Sequence, residues 1–285
     1  MQVKEIECKR ILTRASGYLE QVCSHSLNPY VGCGFGMSSC GEGCYVRFNP
    51  WLTKGRIWGQ FVDVKVNAAA VYRFTYERER QLAHNKGVRF AVFFSSSTDP
   101  WQPLENKYRV SRSILQAMQE FPPDQLILQT HTSRIGDDLS LIKALARLCD
   151  LRVHISIEGD RHHLQGLPPP PCSLEGRIKM LTEFSKAGIK TIACLSPLYP
   201  LENPEMFFLQ LAETGIVAVV IDHFIEGDGT PDGSRTLRTR LPEIMAQVSA
   251  ESVQLGYRDK VAAIARSYLP VGLSRSGFAG IYSTR

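Results

Sequence analysis

The sequence predicts an α/β protein, a partial (β/α)6 TIM-type barrel with a C-terminal helical extension. Three observations carry that reading. Short β-rich runs alternate with amphipathic helical stretches along most of the 285 residues, the pattern of a largely parallel sheet flanked by helices. The strand–helix units follow one another without a break in composition, which argues for one barrel domain over 1–285 rather than two folded halves. Helix ends carry caps where the pattern needs them: Ala187-Gly188 closes one helix, and Asn203-Pro204 opens the next with an N-cap and a proline at the first position.

The elements follow in order. A first strand near Ser26 to Val31 runs into a Gly/Ser-rich loop, NPYVGCGFGMSSCGEGCYVRF. Further strands are expected at Phe61 to Val66, Arg89 to Ser95, Gln125 to Thr130, Arg152 to Ile157, Lys190 to Leu195 and Ile216 to Ile221. Helices are expected between them at about Asn67 to Lys86, Tyr108 to Glu120, Leu139 to Leu148, Leu174 to Ala187 and Pro204 to Glu213. These elements place the barrel core over about 24–225. The Pro168 to Pro171 run is a stiff polyproline segment within a loop. After Gly227, GDGTPDGSRT reads as a loop, and helices near Leu241 to Leu255 and Asp259 to Tyr268 form a cap over about 236–285. There is no internal repeat.

Composition narrows the class without deciding the function. At 44% apolar the chain can bury a full core, and 33 Lys+Arg against 28 Asp+Glu leave a formal charge of only +5, spread without blocks of one sign. That gives weak support for a polyanion partner. No run approaches the roughly 18 apolar residues of a membrane span. The N-terminal MQVKEIECKRILTRASGYL has no apolar signal core, so a cytoplasmic protein is expected. In that compartment thiols stay reduced, and eight cysteines are metal ligands, catalytic groups or buried residues rather than disulfides.

Three of the eight are close together: Cys33, Cys40 and Cys44, with gaps of six and three residues. Glycines around them permit the positive φ angles that wrap backbone about a bound group, and thiolates hold zinc or iron–sulfur iron. Structural zinc takes four closed ligands, often two CxxC pairs, and no second pair exists here. Three cysteines on one loop fit a [4Fe-4S] cluster with one iron left open. Cys149 and Cys194 read as small buried hydrophobes, and Cys8, Cys23 and Cys172 carry no signal.

Barrel enzymes carry their active groups at the C-terminal ends of the strands. That rule selects Ser95, Ser96, Ser97, Thr98 and Asp99, a polar burst after RFAVFF, which is equally the composition of a strand-ending turn. It also selects Ser156 and Glu158 in VHISIEGD, His131 after LILQT, and Asp222 and His223 after VVIDHF. Arg177, at a helix start, has a fork suited to a carboxylate or simply to solvent. His162 and His163 sit in a polar loop and read as solvated, whereas Trp101 and Tyr108 line a pocket or belong to the core.

The stretch LNPYVGCGFG ending at Gly36, with the exit Cys44-Tyr45-Val46-Arg47, resembles the cluster loop of radical S-adenosylmethionine (SAM) enzymes, in the branch related to spore photoproduct lyase, the DNA repair photolyase-like proteins. Val64-Lys65-Val66-Asn67, Ser97-Thr98-Asp99-Pro100-Trp101-Gln102-Pro103, a Gly188-Ile189 turn and Ser196-Pro197 resemble that branch in the same order, so the likeness spans about Ile11 to Phe224. The spacing departs from the family, which has three and two residues between its cysteines. Either Cys33, Cys40 and Cys44 are ligands in a lengthened loop, or Met37 takes the second position and Cys40 the third. Thioether is a poor substitute for thiolate and the exit matches at Cys44, which favours the lengthened loop. Gly43 stands where the family has an aromatic residue, a position Tyr45 could cover instead.

The resemblance implies one radical SAM domain with two cofactors, a [4Fe-4S] cluster and SAM. The open iron would chelate SAM, and one electron would release a 5′-deoxyadenosyl radical that takes hydrogen from a substrate. Implied SAM contacts are Tyr45, Ser95, Ser96, Ser97, Thr98, Asp99, Ser156, Glu158 and Arg177. A catalytic side chain is not selected; Cys194, Tyr45 and Tyr199 are the residues that could return hydrogen. The implied partners are an electron donor such as flavodoxin or ferredoxin and an unassigned small molecule, peptide or DNA, a thymine-dimer lesion by analogy; no membrane is involved. The alternative from another class is a non-catalytic metal or redox-sensing module built on the same cysteines.

Overall fold

A computed structural model describes residues 1–284. The chain begins with strands β1 (Gln2–Ile6), β2 (Leu12–Arg14), β3 (His25–Leu27) and β4 (Tyr30–Val31). The cysteine loop follows with short helices α1 (Ser39–Glu42) and α2 (Pro50–Thr53), then β5 (Phe61–Lys65) and α3 (Ala68–His84). Strand–helix units succeed one another: β6 (Ala91–Phe94) with α4 (Glu105–Tyr108) and α5 (Val110–Glu120), β7 (Gln125–Thr130) with α6 (Leu139–Leu145), and β8 (Asp150–Ser156) with α7 (Leu174–Lys186). Next come β9 (Lys190–Leu195), α8 (Pro204–Glu213) and β10 (Ala218–Ile221). The C-terminal part holds α9 (Phe224–Gly227), α10 (Leu241–Val248), α11 (Leu255–Ala265), β11 (Val271–Leu273) and α12 (Ser274–Ala279). No helix among the described residues is long and apolar enough to cross a membrane.

The main sheet has eight strands in the order β11-β10-β9-β8-β7-β6-β3-β2. All neighbours are parallel except β2 on β3. The expected caps form: Gly188 follows α7 with left-handed backbone (φ 78°), and Asn203 accepts from Met206 N–H at the start of α8; at the other end of α7 the Ser173 side chain also accepts from Gly176 N–H.

Four local expectations are corrected. The strand near Ser26 to Val31 breaks at Asn28-Pro29: Asn28 turns its side chain to the 96–97 backbone and hydroxyl, Pro29 has no N–H for a ladder, and the chain leaves β6 to pair as β4 with β5. The strand at Phe61 to Val66 forms, but it belongs to a separate three-stranded sheet, β1-β5-β4, beneath the cysteine loop. The helix expected through Leu255 stops at Val248, because Ser249 is extended (φ −153°, ψ 115°) and a 3-10 turn at Ala250–Val253 intervenes. Finally, the C-terminal segment is not only helical, since β11 adds a seventh parallel strand beside β10.

Strand alternation sorts the sheet into two faces. Val92, Phe94, Leu126, Leu128, Val153, Ile155, Ala193, Leu195, Val219 and Ile221 face the helices and belong to the large core. Ala91, Phe93, Ile127, Ile192, Cys194 and Val220 face the barrel interior in a second apolar cluster. Phe278 of α12 enters that interior from the open side, with its ring 6.4 Å from Phe93, 5.8 Å from His154 and 6.2 Å from Tyr18. The partial barrel is thereby sealed at its seam by segments from both ends of the chain.

Candidate functional site

The inward register of each barrel strand changes character at its C-terminal end. Ala91 and Phe93 continue to Ser95, Ile127 and Gln129 to His131, His154 and Ser156 to Glu158, Ile192 and Cys194 to Ser196, and Val220 to Asp222. Ser95, His131, Glu158, Ser196 and Asp222 all line one cavity of about 460 Å³, apolar at its base and polar at its rim. That volume suits a small-molecule site. Ser95 (φ 87°) and Glu158 (φ 63°) both hold left-handed backbone without being glycine, a strained conformation that recurs at functional strand ends.

The cysteine loop forms the facing wall. Gly36, Gly41 and Gly59 pack backbone on backbone: a Cβ on Gly36 would lie 2.1 Å from Gly59 Cα, and one on Gly41 would lie 2.3 Å from Gly36. The start of the loop is clamped by the TDPWQP segment. Gln102 Oε1 accepts from Gly34 N–H at 2.6 Å, Gln102 Nε2 donates to Thr98 Oγ1, and Thr98 Oγ1 donates to the Gly32 carbonyl at 2.7 Å. Trp101 is core: it is 1% exposed, and its Nε1 donates to Asp138 at 2.8 Å. Tyr108 packs against the same core cluster.

Cys33, Cys40 and Cys44 all line the cavity. Cys40 is in electrostatic reach of both other cysteines and of Glu158 and Asp99. Burial is the first cause in each case of a raised thiol, to about 12 at Cys33, to about 11 at Cys44 and well above the ordinary range at Cys40. Stable thiolates here need a bound cation to replace lost water. Met37 is 71% exposed and is not part of the cavity wall. No group of three His, Cys, Asp or Glu side chains among the described residues could hold a single metal ion. An iron–sulfur cluster makes a different demand, because each cysteine binds its own iron.

The expected SAM contacts divide into two groups. Tyr45, Ser95, Ser96, Ser97, Thr98, Asp99 and Glu158 line the cavity, and the Tyr45 hydroxyl donates to the Ser96 carbonyl at 2.7 Å. Ser156 faces the barrel interior below the cavity, where its Oγ accepts from Gln129 Nε2 at 3.3 Å, and Arg177 lies behind the wall. Arg177 is 2% exposed, and its Nη1 donates to the Ser156 carbonyl and pairs with Glu158. A chain of close polar contacts runs along the rim: Arg177 pairs with Glu158, Glu158 lies 3.4 Å from His131, and His131 lies 3.6 Å from Asp99. Asp99 is further held by Trp101 N–H, Thr130 Oγ1 and His131 N–H.

Among the other residues singled out, Asp222, His223 and Tyr199 line the cavity, whereas Cys194 is fully buried below it. His162 is exposed, 3.1 Å from Glu175 on the outer surface, and neither it nor His163 lines the cavity. Tyr18, Gln129, Ser196, Arg235 and Phe278 line the cavity without having been anticipated. Gln129 and Ser196 were readable from strand parity; Tyr18, Arg235 and Phe278 come from segments whose return to the barrel has no local signal.

No family model matches the chain. A protein of Methanocaldococcus jannaschii described as uncharacterized is 28% identical over 176 residues, 61% of this chain. One of Mycobacterium tuberculosis with the same description is 26% identical over 230 residues, 76% of this chain. The chain spans 60% and 63% of the length of these relatives. Among solved structures, a spore photoproduct lyase mutant with bound AdoMet and dinucleoside spore photoproduct superposes with a TM-score of 0.63 at 14% identity, over 95% of this chain and 81% of the other. The chain has the fold of spore photoproduct lyase. A second structure of that lyase, complexed with the dinucleoside spore photoproduct, gives a TM-score of 0.62 at 13% identity, again over 95% of this chain and 81% of the other. This is the fold that the cysteine loop and the TDPWQP segment led one to expect.

Proposed function

We propose that the chain is a radical SAM enzyme, with a [4Fe-4S] cluster on Cys33, Cys40 and Cys44 and SAM in the cavity between that loop and the strand ends. One observation carries the reading: three thiols of one loop, Cys33 buried and Cys40 and Cys44 half-buried, line the same cavity as the polar ends of five parallel barrel strands. The donor set fits the group. Three thiols suit a cluster with one open iron, and the glycine packing of Gly36, Gly41 and Gly59 leaves the loop no bulk of its own. A metal module without catalysis would have no use for the cavity or for strained Ser95 and Glu158.

When bound, the cluster would supply the electron that cleaves SAM to a 5′-deoxyadenosyl radical. The chain's residues do the rest. Thr98 and Gln102 hold the loop in register with the strand ends. The hydroxyls of Ser96 and Ser97 and the carboxylates of Asp99 and Glu158 offer hydrogen-bond partners to the SAM ammonium and ribose, while the Ser95 and Thr98 hydroxyls, which donate to the Thr98 and Gly32 carbonyls, shape the wall, with Tyr45 beside them as a cover for the adenine. Arg177, with the Ser156 carbonyl, fixes Glu158 from behind and acts through it. The apolar base, closed by Phe93 and Phe278, keeps water from the reacting carbon.

The substrate is a separate question, because fold does not transfer substrate. The neighbours that hold a dinucleoside photoproduct make a thymine dinucleotide lesion the first compound to try. The test of the cofactor reading is anaerobic reconstitution with iron and sulfide, followed by metal analysis and the effect of SAM on the electron paramagnetic resonance of the reduced protein. Cys33→Ala, Cys40→Ala and Cys44→Ala should lose the cluster while Met37→Ala keeps it. Cluster loss on Met37→Ala, or a signal indifferent to SAM, would overturn the assignment.

A further inference from the structure

The end of the barrel opposite the cavity holds polar side chains that the proposed reaction does not use. Arg152 and His154 stand at alternate positions of β8, on the same inward face as Ser156. Arg152 is level with Ile127 of β7 and Lys190 of β9, near the start of the strands. Both side chains are buried, Arg152 at 7% exposure and His154 at 0%. Burial of such groups normally comes with partners. Here Nη1 of Arg152 and both ring nitrogens of His154 have none, and neither has the hydroxyl of Tyr282.

These three groups share one place. Arg152 is in electrostatic reach of both His154 and the Tyr282 hydroxyl. The backbone after α12 is shaped around the guanidinium: Gly280 holds a left-handed φ of 95°, and a Cβ there would lie 1.9 Å from Nη1 of Arg152. Charge at this end is unbalanced. Arg152 forms no ion pair among the described residues, and the nearby Asp150 carboxylate is taken by Lys190 at 2.7 Å, by Gln125 Nε2 at 3.2 Å and by Arg89 at 3.5 Å. Arg89, Arg152 and Lys190 thus share one carboxylate. His154 adds no charge, because burial first, and then the neighbouring Arg152, lower it to about 3 and leave a neutral ring with one N–H to donate.

We propose that Arg152, His154 and Tyr282 bind a small monovalent anion, of the size of chloride, at the base of the barrel. The ligand chemistry follows from the donors. A guanidinium, a phenol and a neutral imidazole offer N–H and O–H groups to one acceptor, and their single positive charge is cancelled by one negative charge. A water molecule would accept these bonds but leave the buried cation uncompensated. The Gly280 backbone closes one side of the guanidinium, which selects a compact ion over a phosphate ester. The bound anion joins β8 to the segment behind α12, where Ser283 already bridges to Val271 of β11. It thereby helps to hold Phe278, whose ring is 5.8 Å from that of His154, across the barrel interior.

Thermal unfolding of the full chain in sodium chloride, set against sodium gluconate at equal ionic strength, tests this. Chloride should raise the midpoint saturably, as a ligand of the folded state does, and the bulkier gluconate should not. Tyr282→Phe removes one donor and little volume, and should weaken the apparent chloride affinity by about tenfold; Arg152→Met should abolish the response. Phe74→Ala, at a position 90% exposed on α3, should respond as the wild type does. Crystals grown in bromide should carry anomalous density between Arg152 and Tyr282. If Arg152→Met does not fold, Tyr282→Phe and the bromide density decide between the outcomes.

Equal midpoints in chloride and gluconate would overturn the proposal and leave the three groups to water. A chloride response that Tyr282→Phe keeps in full, or bromide density at other positions only, would overturn it too and make the effect that of an adventitious ion only. Neither cluster nor SAM enters the measurement, so its failure leaves the radical SAM reading untouched.

Discussion

Glu158 is where the site is most sensitive to a single side chain. Its carboxylate is 10% exposed, beside Arg177 at 2%, so the pair is withdrawn from water and each member depends on the other. Removing one partner should therefore cost more than removing both. Arg177→Met is expected to lower stability by about 3–5 kcal/mol, and the double variant Arg177→Met, Glu158→Gln to recover much of that loss in urea unfolding of the apo chain. Equal losses in the two variants would mean that the pair is not coupled. Asp222 gives a pH-dependent counterpart. Burial raises its carboxyl to about 6, above the ordinary value of about 3.9. A raised acid favours the protonated form in the fold, so the contribution is complete below about pH 3.9 and is lost as the pH rises through 6. Asp222→Asn should accordingly gain stability of about 3 kcal/mol at about pH 8 and little at about pH 4. A gain that does not depend on pH would contradict that cause.

At the scale of elements the cysteine loop and the C-terminal helix matter most. Gly36→Ala places a methyl 2.1 Å from the Gly59 backbone, where no side chain can give way. It should abolish cluster incorporation, measured as iron content after reconstitution. Gly256→Ala, in α11 with open space at its Cβ, should do the opposite and raise stability by up to about 1 kcal/mol. If the two glycines respond alike, the loop is not built on close backbone contact. Phe278→Ala in α12 is expected to cost about 3–5 kcal/mol in thermal unfolding, because the ring fills the barrel interior and is 4% exposed. That the loop folds tightly on itself was legible from its Gly content. The role of α12 was not legible in that way, since Phe278-Ala279 between two glycines carries no sign that it returns across about 260 residues to meet Tyr18.

For the whole molecule, the legible part of the fold is the part governed by local periodicity. The parallel strands from β6 to β10 lie close to where alternation put them, and their polar C-terminal ends form one rim. Partner choice is what local pattern leaves out. Phe61–Lys65 reads as another strand of the series, yet it pairs with β1 and β4, because pairing depends on which apolar face it must cover, here the underside of the cysteine loop. Likewise Arg177 reads as a helix residue facing the rim, whereas the fold buries it behind Glu158. The central claim is that these two ends of the chain's architecture, loop and rim, hold a cluster and SAM together. The measurement that tests it most directly is 5′-deoxyadenosine formation by the anaerobically reconstituted chain with dithionite and SAM. The account predicts product in the wild type and none in Cys33→Ala, Cys40→Ala or Cys44→Ala; a fully loaded cluster that yields no 5′-deoxyadenosine would contradict it.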